Sequence, residues 1–591
     1  MEIAKLLVGN RSKLLVKGSV FLLFAGFFVL TMVVTKAGAE TSTVTEQDLG
    51  TQNADSEVEL DIRAIQKKMM QEGMQQKKMQ EVIQEMMQVK VQEKIDAASS
   101  FPKRVQPDQM QQEVQSTMRP KLQGMMQQKA GVTVGSGPPS TPPEGNKKYI
   151  FSSLPQSILA KQHSQQVLMP DIEEAIMLVL KVGRETAAPL IDREFHNNGA
   201  IITVPDQHKS IQAAIDAAQS GDTVLVKAGT YFEQLTMKDG VKLVSDSADQ
   251  GDELVAVAGA VIKLPSRALR TIIDGTKAKP SKHGMIDFNP GVERKTIIDG
   301  FTIQNLPHQD HHVPGHAHGL NVRGASPIIT NCLIRNMGST GIGNHVVYND
   351  QESSVPSRDF RWQNIKNFSS PVIYNNIVHS SVGLGIGCNH FSTPIVLANE
   401  VYNNDDSEVS GSPSPGIGNK HGSAATIIGN IVHDNPGGGI QCKVGDPQGM
   451  YNIDRPTHPS IVQNVIYDNG MEKAAISSQG AGSLETPVII SGNYVFNSGA
   501  AGIGLMDGAV AIIEDNMVAN SKDPGIAVKS STVLKLNGNG VDGMVDTPGI
   551  LLVNKTVVHE MLANTVTPGD QPPFMLKDDS SIMEKAAKVV E

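Results

Sequence analysis

The chain has 591 residues, of which 39% are hydrophobic, 19% are charged and only 4% are aromatic, and its formal net charge is −10. This length excludes a disulfide-stapled miniprotein, and the acidic balance argues against nucleic acid as a partner, because phosphate binding needs a basic surface. The 55 glycines indicate many tight turns, and the low charge content excludes a coiled coil along the whole chain.

Residues 1–39 are typical of a signal peptide. A basic stretch between Lys5 and Lys17 precedes an uncharged, mostly apolar run from 18 to 35, and Ala-Gly-Ala at 37–39 supplies a small-x-small cleavage pattern. The apolar run is also just long enough to span a bilayer, so an uncleaved signal anchor is the alternative, and membrane contact is then expected through this segment alone. Either way we expect an exported protein, located in the periplasm, at the cell surface or in the medium.

Residues 40–134 are rich in Met and Gln. Between 58 and 98 the apolar residues recur at helical spacing, which predicts a helix or short coiled coil suited to self-association. Thioethers are also soft ligands for Cu(I), which is an alternative interpretation of these methionines. A Pro/Gly-rich linker follows at 135–149. The segment 150–200 contains a second predicted helix, from its N-cap Asp171 to about Lys181.

From residue 201 onward the pattern changes to short strands. The block SIQAAIDAAQSGDTVLVKAGTYFEQL, starting at Ser210, reads as an amphipathic helix, a strand, a turn and the start of a second strand. It resembles the N-terminal entry of right-handed parallel β-helix proteins of the pectin-lyase-like superfamily, in which the helix covers the open end of the first coil. It is also similar to the entry of periplasmic β-helix proteins of the NosD type, implicated in copper-site assembly. Such a cover has a physical reason, because a solenoid end exposes apolar core and unpaired strand edges.

One repeated element reads Pro/Thr-apolar-apolar-x-x-Asn-x-Val/Ile. Its turn position holds Cys332, Asn376, Asn399, Asn430, Asn464, Asn493 and Asn516, at spacings of 44, 23, 31, 34, 29 and 23 residues. A minimum near 23 with variable insertions is typical of three-strand coils with loops of variable length. Asn tolerates tight corners, and stacked Asn side chains can bond one another. We therefore predict an all-β fold, a right-handed parallel β-helix solenoid with three strands per coil and an Asn ladder, over residues 201–570. An α-helical N-terminal arm precedes it, and a tail at 571–591 follows, with a helical cap predicted near 580–590.

The second repeated element is Gly-Ile-Gly and its variants. If its Ile points inward, the residues one and three positions later point outward, because strands alternate faces. The first outward column is mostly small: Asn321, Gly343, Gly387, Gly418, Gln441, Ser477, Gly504 and Ala527. The second outward column is largely cationic or amide-bearing: Arg323, His345, Asn389, Lys420, Lys443, Gln479, Met506 and Lys529. His390 and His421 follow at its edge. Cys388 and Cys442 fall on the inward column, two coils apart, which is too far for a disulfide.

A glycine floor beside a cationic stripe, on an acidic protein, favours a groove for an extended anionic chain such as a uronate polysaccharide. The alternative is that outward residues are simply polar and that glycine relieves crowding. In the first interpretation, Asn321, Asn389, Lys443 and Gln479 bind the substrate. The protein could also be an enzyme, a polysaccharide lyase or C5-epimerase, which needs a base beside a carboxylate and cations for the developing charge. Lys420 or His345 is then the base, and Arg323 and Lys443 neutralise carboxylates. No signature of a particular enzyme subfamily is present.

Two further hypotheses remain open. The segment from 304 to 318 contains His308, His311, His312, His316 and His318, which could hold a transition metal such as copper and make the protein a periplasmic metal-handling protein. In the enzyme hypothesis above, Asp405, Asp406 and Glu408 could hold Ca²⁺ beside the two outward columns. The third hypothesis is a non-catalytic envelope or surface protein that binds glycans or partners through the side of the solenoid.

Overall fold

The computed structural model describes residues 161–191, 194, 199–248, 252–278, 284–308, 318–349, 359–405, 412–444, 452–544 and 546–583. The predicted signal segment, the Met-rich segment and the Pro/Gly-rich linker lie outside these residues. In the described part of the chain, no helix combines the length and the apolar character that a bilayer crossing requires.

From Ile201 to Ile582 the chain forms a parallel β-helix with three short strands per coil, and the predicted fold class is confirmed. Equivalent strands of successive coils pair in parallel and build three sheets, which have 12, 15 and 13 strands within the described residues.

Sheet 1 carries the Gly-Ile-Gly strands. Its strands are Leu235–Met237, Ile286–Phe288, Leu320–Arg323, Ile342–His345, Ile386–Cys388, Ile417–Asn419, Ile440–Lys443, Ile476–Gln479, Ile503–Met506, Ile526–Lys529, Ile550–Val553 and Phe574–Leu576.

Sheet 2 carries the Pro-Ile-Ile strands. Its strands are Ile201–Val204, Thr223–Val226, Lys242–Ser245, Ile297–Asp299, Ile328–Thr330, Val372–Tyr374, Ile395–Leu397, Thr426–Ile428, Ser460–Val462, Val488–Ser491, Val510–Glu514, Thr532–Asn537, Val557–Val558, Met561–Leu562 and Ser581–Ile582.

Sheet 3 follows the Asn turn. Its strands are Gly229–Tyr231, Thr271–Asp274, Thr302–Leu306, Leu333–Met337, Ile377–His379, Glu400–Tyr402, Ile431–His433, Val465–Tyr467, Tyr494–Phe496, Met517–Ala519, Gly540–Asp542, Thr565–Val566 and His163–Ser164. Three small pairs lie in the loops: Leu254–Ala256 with Lys263–Pro265, Val347–Tyr348 with Ile365–Asn367, and Asp359–Phe360 with Asn452–Ile453.

The core is the inside of the solenoid. Each coil contributes inward Ile, Val or Leu side chains, and those of successive coils stack in register, as Ile342, Ile386 and Ile417 do in sheet 1 with no exposed surface. Because paired strands lie about 4.8 Å apart, each layer packs closely on the next. The result is one continuous apolar column that runs from the entry block to the last coil.

The Asn ladder is present and longer than predicted. The amide of Asn376 donates to Asn399 at 3.0 Å, and the same bond recurs through Asn430, Asn464, Asn493 and Asn516. Beyond Asn516 it continues through three further residues, namely Asn539, Asn564 and Gln162. At the first step Cys332 takes part through its backbone amide, which donates to Asn376 at 3.0 Å.

The left-handed backbone conformation of the Asn corner belongs to the residue before the ladder position. Asn375, Ala398 and Gln463 have φ of 51°, 49° and 49°, and Gly429 has φ of 69°. The sequence analysis expected the ladder asparagine to adopt the left-handed conformation and also to form the hydrogen bonds of the stack. In the structure two adjacent residues share these functions. The ladder side chain stays inside the turn and bonds up the stack, and the residue before it reverses the chain.

Helix α1, Ile172–Ile191, lies along the outside of the solenoid over sheets 2 and 3. Its N-cap is Asp171, as predicted, with Oδ1 accepting from the Glu174 amide at 2.7 Å. The helix runs ten residues beyond the predicted end, because its apolar face continues and packs on sheet 2. The approach is close: a Cβ on Gly183 would lie 2.9 Å from the Ala398 Cβ. Within the described residues, the other helices are α2, Ile211–Ala217, at the entry, and the short α3, Ser266–Arg270. The same residues include two 3₁₀ turns in the loops, Gly275–Lys277 and Trp362–Asn364.

The segment before α1 belongs to the far end of the solenoid. His163–Ser164 pairs with Thr565–Val566 of the last complete coil, and Gln162 ends the Asn ladder. The chain thus passes from the last coil along the outside to the first. The predicted tail also continues the sheets, because Phe574–Leu576 and Ser581–Ile582 are strands, so the solenoid extends past residue 570. The predicted helical cap is wrong at 581–582, where in-register pairing with Val557–Val558 holds the chain extended, and residues 584–591 lie outside the described part.

Candidate functional site

The outward columns of sheet 1 have the predicted register. Asn321, Gly343, Gly387, Gly418 and Gln441 are successive pairing partners. In the neighbouring column Arg323 pairs with His345, and Lys443 pairs with Gln479. Asn389 and Lys420 follow the strands Ile386–Cys388 and Ile417–Asn419, so they occupy the corresponding positions of the intervening coils.

The glycine column is not an open floor, which corrects the first interpretation of these residues. A Cβ on Gly343 would overlap the His318 ring, and a Cβ on Gly418 would lie 2.9 Å from a Leu384 methyl group. On Gly504 it would lie 3.1 Å from the Ala474 Cβ. The glycines therefore make room for side chains that reach over sheet 1 from the preceding turns, as the alternative interpretation held.

Beside these covering side chains lies a cavity of about 320 Å³. One wall is formed by the turns that lead from sheet 3 to sheet 1, and the other by the cationic column. Its lining residues are His318, Ser339, Thr340, Val382, Gly383, Leu384, Ser412, Pro413, Ser414, Pro415, Lys420, Gln441, Lys443 and Lys473. We call this space the lysine cavity.

Three lysines concentrate positive charge in the lysine cavity. Lys420 and Lys443 occupy the same column on adjacent coils, and Lys473 enters from the turn before the next strand, with Nζ 3.4 Å from Ser412 Oγ and from the Pro413 carbonyl. Burial, and then the positive charges of Lys420 and Lys473, lower the pKa of Lys443 to about 8. A lysine with this pKa is partly neutral near neutral pH, and it regains its proton when an anion enters.

A row of four imidazoles begins at His318, which lines the cavity. The ring centroids of His318 and His345 lie 5.1 Å apart, those of His345 and His390 5.4 Å, and those of His390 and His421 4.6 Å. His318 Nε2 and His345 Nε2 are 2.9 Å apart. Burial, followed by the positive charges of His318, His390, Arg323 and His421, holds the pKa of His345 well below its usual range. His345 is therefore neutral at physiological pH.

The other predicted substrate ligands lie outside the lysine cavity. Asn321 is buried and donates to Asp287 Oδ1 at 3.0 Å. Gln479 donates to Asp507 Oδ2 at 2.8 Å. Arg323 is exposed at the end of its strand, near the row of imidazoles. Asn389 lies against Gly387, where a Cβ would be 3.2 Å from its Nδ2. Of the predicted catalytic and substrate-binding residues, the cavity lining contains Lys420 and Lys443.

The predicted metal sites fall largely on residues that the structure does not describe, namely His311, His312, His316, Asp406 and Glu408. The described members are separately engaged. His308 Nδ1 is 2.9 Å from the Gly338 carbonyl, His318 contacts His345, and the Asp405 amide donates to the Ser381 carbonyl at 3.1 Å. Within the described ranges, no three His, Cys, Asp or Glu side chains form a metal-binding group.

The three cysteines are free and buried, and Cys388 and Cys442 form no disulfide, as predicted. Cys388 and Cys442 lie on the inward column with Asn419 between them. Burial raises the pKa of each thiol, to about 12 for Cys332. They are therefore unreactive components of the core.

Several lining residues were missed because they lie in turns. Ser339, Leu384 and Lys473 carry no recurring pattern, since the turns between sheets 3 and 1 differ in length from coil to coil. The sequence shows His318 only as a member of a histidine cluster. Its position over the sheet could be inferred from Gly343, whose missing side chain leaves space for it.

The comparisons with known proteins agree with this fold. Residues 291–452 and 448–571 match the family model for a right handed beta helix region, so this part of the chain is a right-handed parallel β-helix, and the predicted resemblance to right-handed parallel β-helix proteins is confirmed. The similarity of the entry block to proteins of the NosD type stays a prediction. No curated protein sequence matches the chain.

Among solved structures, the A-module of one mannuronan C-5 epimerase from Azotobacter vinelandii is 17% identical, covers 65% of this chain and 100% of its own, and has a TM-score of 0.43. A second such module from that organism is 16% identical, with 63% and 94% coverage and a TM-score of 0.41. The catalytic unit of an α-1,3-glucanase from Streptomyces thermodiastaticus is 13% identical, with 65% and 70% coverage and a TM-score of 0.38. Likeness at this level says nothing about activity.

Proposed function

We propose that this right-handed parallel β-helix protein binds an anionic, uronate-type polysaccharide along sheet 1, with a carboxylate held in the lysine cavity. The observation that carries the proposal is the convergence of Lys420, Lys443 and Lys473 on one cavity of a chain whose net charge is −10. Burial, and then the positive charges of Lys420 and Lys473, lower the pKa of Lys443, so its charged form is disfavoured in the free cavity. An anionic ligand stabilises the charged form of all three lysines.

The neutral lining of the cavity suits a sugar. Ser412 and Ser414 lie on one side and Gln441 on the other, which places hydroxyl and amide groups around the ammonium groups. Among the described lining residues there is no Phe, Tyr or Trp. Recognition therefore depends on charge and hydrogen bonds, and an anionic chain gains more from this site than a neutral one.

The test is binding of a fluorescent oligouronate, followed by anisotropy at low and moderate salt. Lys443→Met and Lys473→Met should each weaken binding about tenfold or more, because one charge-assisted hydrogen bond contributes roughly 1.5–3 kcal/mol. Lys529→Met is the matched control, since this exposed lysine lies in the same column outside the cavity, and it should bind like the wild type. Equal binding by all three variants, or equal affinity for a neutral oligosaccharide, would refute the proposal.

A second candidate function is processing of the bound chain by β-elimination or C5 epimerisation. The feature that favours it is again Lys443, whose pKa is about 8 in the free protein. Because a bound carboxylate raises this pKa, the base is the fraction of Lys443 that stays neutral in the complex. Lys420 then has the charge-neutralising role, which exchanges the two assignments made from the sequence. Absorbance of unsaturated products detects a lyase, and NMR of the recovered polymer detects an epimerase. If wild-type protein produces neither change in a polyuronate that it binds, processing is excluded and the protein is a binding module.

We also propose that the protein is exported, on the strength of the basic and apolar pattern of residues 1–39. A fusion of these residues to an alkaline phosphatase that is active only outside the cytoplasm should show activity. Replacing the apolar run with polar residues should abolish that activity, and an inactive fusion to the unaltered segment would refute the proposal.

A further inference from the structure

A serine and two histidines form a connected row at the edge of the lysine cavity. Ser339 Oγ lies 3.4 Å from His318 Nδ1, and His318 Nε2 lies 2.9 Å from His345 Nε2. Both Ser339 and His318 line the cavity, whereas His345 stands behind them on sheet 1. A hydroxyl, a base within reach of it, and a third group that orients the base are the components of nucleophilic acyl transfer.

The tautomers required by the His–His contact suit this chemistry. One of the two facing Nε2 atoms must donate and the other must accept, because a hydrogen bond between them needs one N–H group and one lone pair. If His345 accepts, His318 carries its hydrogen on Nε2, and its Nδ1 lone pair points toward Ser339. His345 keeps the lone pair that this arrangement needs, since burial and the surrounding positive charges hold its pKa well below the usual range.

The position of His318 depends on a glycine. The imidazole lies flat over Gly343, where a methyl group would overlap it, and its ring plane is only 8° from that of His345. A residue larger than glycine at position 343 would therefore displace the base from both of its partners. The ring is thus held in place by the sheet below it, by His345 on one side and by Ser339 on the other.

We propose that Ser339, with His318 as its base and His345 as the residue that positions the base, removes O-acyl groups from the anionic polysaccharide of the proposed function. Ser339 Oγ forms a bond to the acyl carbonyl carbon, and His318 Nδ1 takes the hydroxyl proton. The sugar oxygen then leaves with that proton, which gives an acyl-serine. Water attacks this ester, His318 takes a proton from the water and returns it to Ser339 Oγ, and the carboxylic acid is released. The lysines line the same cavity as Ser339, and their positive charge favours the negatively charged tetrahedral oxyanion.

The ligand class follows from the two neighbouring features. The lysines bind an acidic chain, and the serine requires an ester on the same chain, so an O-acetylated polyuronate satisfies both. The inference thus rests on the proposed function for its substrate, whereas the nucleophile itself can be tested without a polysaccharide.

The first experiment is covalent labelling with an alkyl fluorophosphonate, followed by intact mass and peptide mapping. The wild type should gain one adduct on Ser339, and Ser339→Ala should gain none there. Ser483→Ala is the matched control, because this serine lies in a turn outside the cavity and is hydrogen-bonded to Glu485 and Thr486. Absence of an adduct on Ser339 of the wild type would overturn the proposal.

The second experiment measures hydrolysis of p-nitrophenyl acetate and acetate release from acetylated polyuronate. Ser339→Ala and His318→Ala should each lower kcat/KM about 100-fold or more, as loss of a nucleophile or general base does. His345→Leu should lower kcat/KM, and His345→Gln, whose amide oxygen can still accept from His318, should restore much of it. Gly343→Ala should reduce both labelling and hydrolysis. Equal rates in the wild type and Ser339→Ala would overturn the proposal.

The two proposals fail separately. Ser339→Ala should still bind a non-acetylated oligouronate, whereas Lys443→Met should lose that binding. Intact oligouronate binding without labelling refutes the acyl-transfer inference alone, and labelling without oligouronate binding refutes the polysaccharide proposal alone.

Discussion

Binding of an oligouronate should be accompanied by proton uptake at Lys443. In the free protein, burial and the charges of Lys420 and Lys473 lower the pKa of Lys443 to about 8. A bound carboxylate supplies a negative charge and offsets the two lysines, so the pKa of Lys443 moves back toward 10.5, the ordinary value for lysine. The protein must then take up a proton from the buffer wherever the free lysine was neutral.

The amount of uptake follows from the two pKa values. If the pKa returns fully, uptake is about 0.1 proton at pH 7, about 0.5 at pH 8 and about 0.9 at pH 9. The binding affinity should depend on pH in the corresponding direction. It is nearly constant below pH 8, and above pH 8 it falls by up to about tenfold per pH unit, because only the charged lysine attracts the ligand.

Titration calorimetry in buffers of different ionisation enthalpy, such as HEPES and Tris, measures this uptake at each pH. Lys443→Met should bind more weakly and should show no uptake that rises between pH 7 and pH 9, whereas Lys529→Met should behave like the wild type. Uptake that stays near zero at pH 9 in the wild type would refute the placement of the anion beside Lys443. Uptake that persists in Lys443→Met would show that another group titrates.

Three further predictions concern the scaffold. Burial, followed by the charges of His421 and Arg323, lowers the pKa of His390 to about 3, so below pH 6.5 the unfolded chain binds a proton that the folded chain does not. The stability of the fold should therefore decrease as the pH drops from 6.5 toward 3. This decrease, measured by thermal unfolding, should be smaller in His390→Asn. Asn430→Ala should destabilise the solenoid by about 3 kcal/mol, since it leaves buried ladder partners without their bonds, whereas exposed Asn349→Ala should change the urea midpoint little. Gly183→Val should separate α1 from the solenoid and make it sensitive to proteolysis, because a larger side chain does not fit against Ala398. Arg184→Ala, on the exposed side of the helix, should not have this effect. Equal proteolysis of both variants would contradict the close packing at Gly183.

The repeating part of the molecule could be predicted from the sequence because its physics repeats. Strand residues alternate faces and equivalent coils stack in register, so the partners of Gly343, His345 and Lys443 follow once the Gly-Ile-Gly copies are aligned. The same alignment contained a second ladder that was missed. Asn404, Asn435 and Asn469 each lie five residues after a member of the first ladder, and their amides bond at 3.2 and 3.0 Å.

The candidate site could be predicted only in part, because most of its lining residues lie in turns. Nothing in the sequence relates the turn that carries Ser339 to the turn that carries Lys473, which lies more than 130 residues later. The solenoid brings them to one cavity through its coil spacing. The passage of the chain from the last coil along the outside to the first is also absent from the local pattern, because pairing of His163 with Thr565 joins residues 402 positions apart.

The scarcity of aromatic residues finally constrains what the cavity can recognise. The single tryptophan, Trp362, does not serve as a free sugar platform, since the Arg455 guanidinium lies 3.8 Å from its ring centroid and the rings of Phe368 and Phe391 lie 5.0 and 6.0 Å away. Discrimination then depends on the spacing of charges. Lys420 and Lys443 stand one coil apart, about 4.8 Å, and Lys473 adds a third charge from the side. A polymer with one carboxylate per sugar can place successive carboxylates beside these lysines. Its affinity should therefore rise with oligomer length until the cavity and its neighbouring coils are filled.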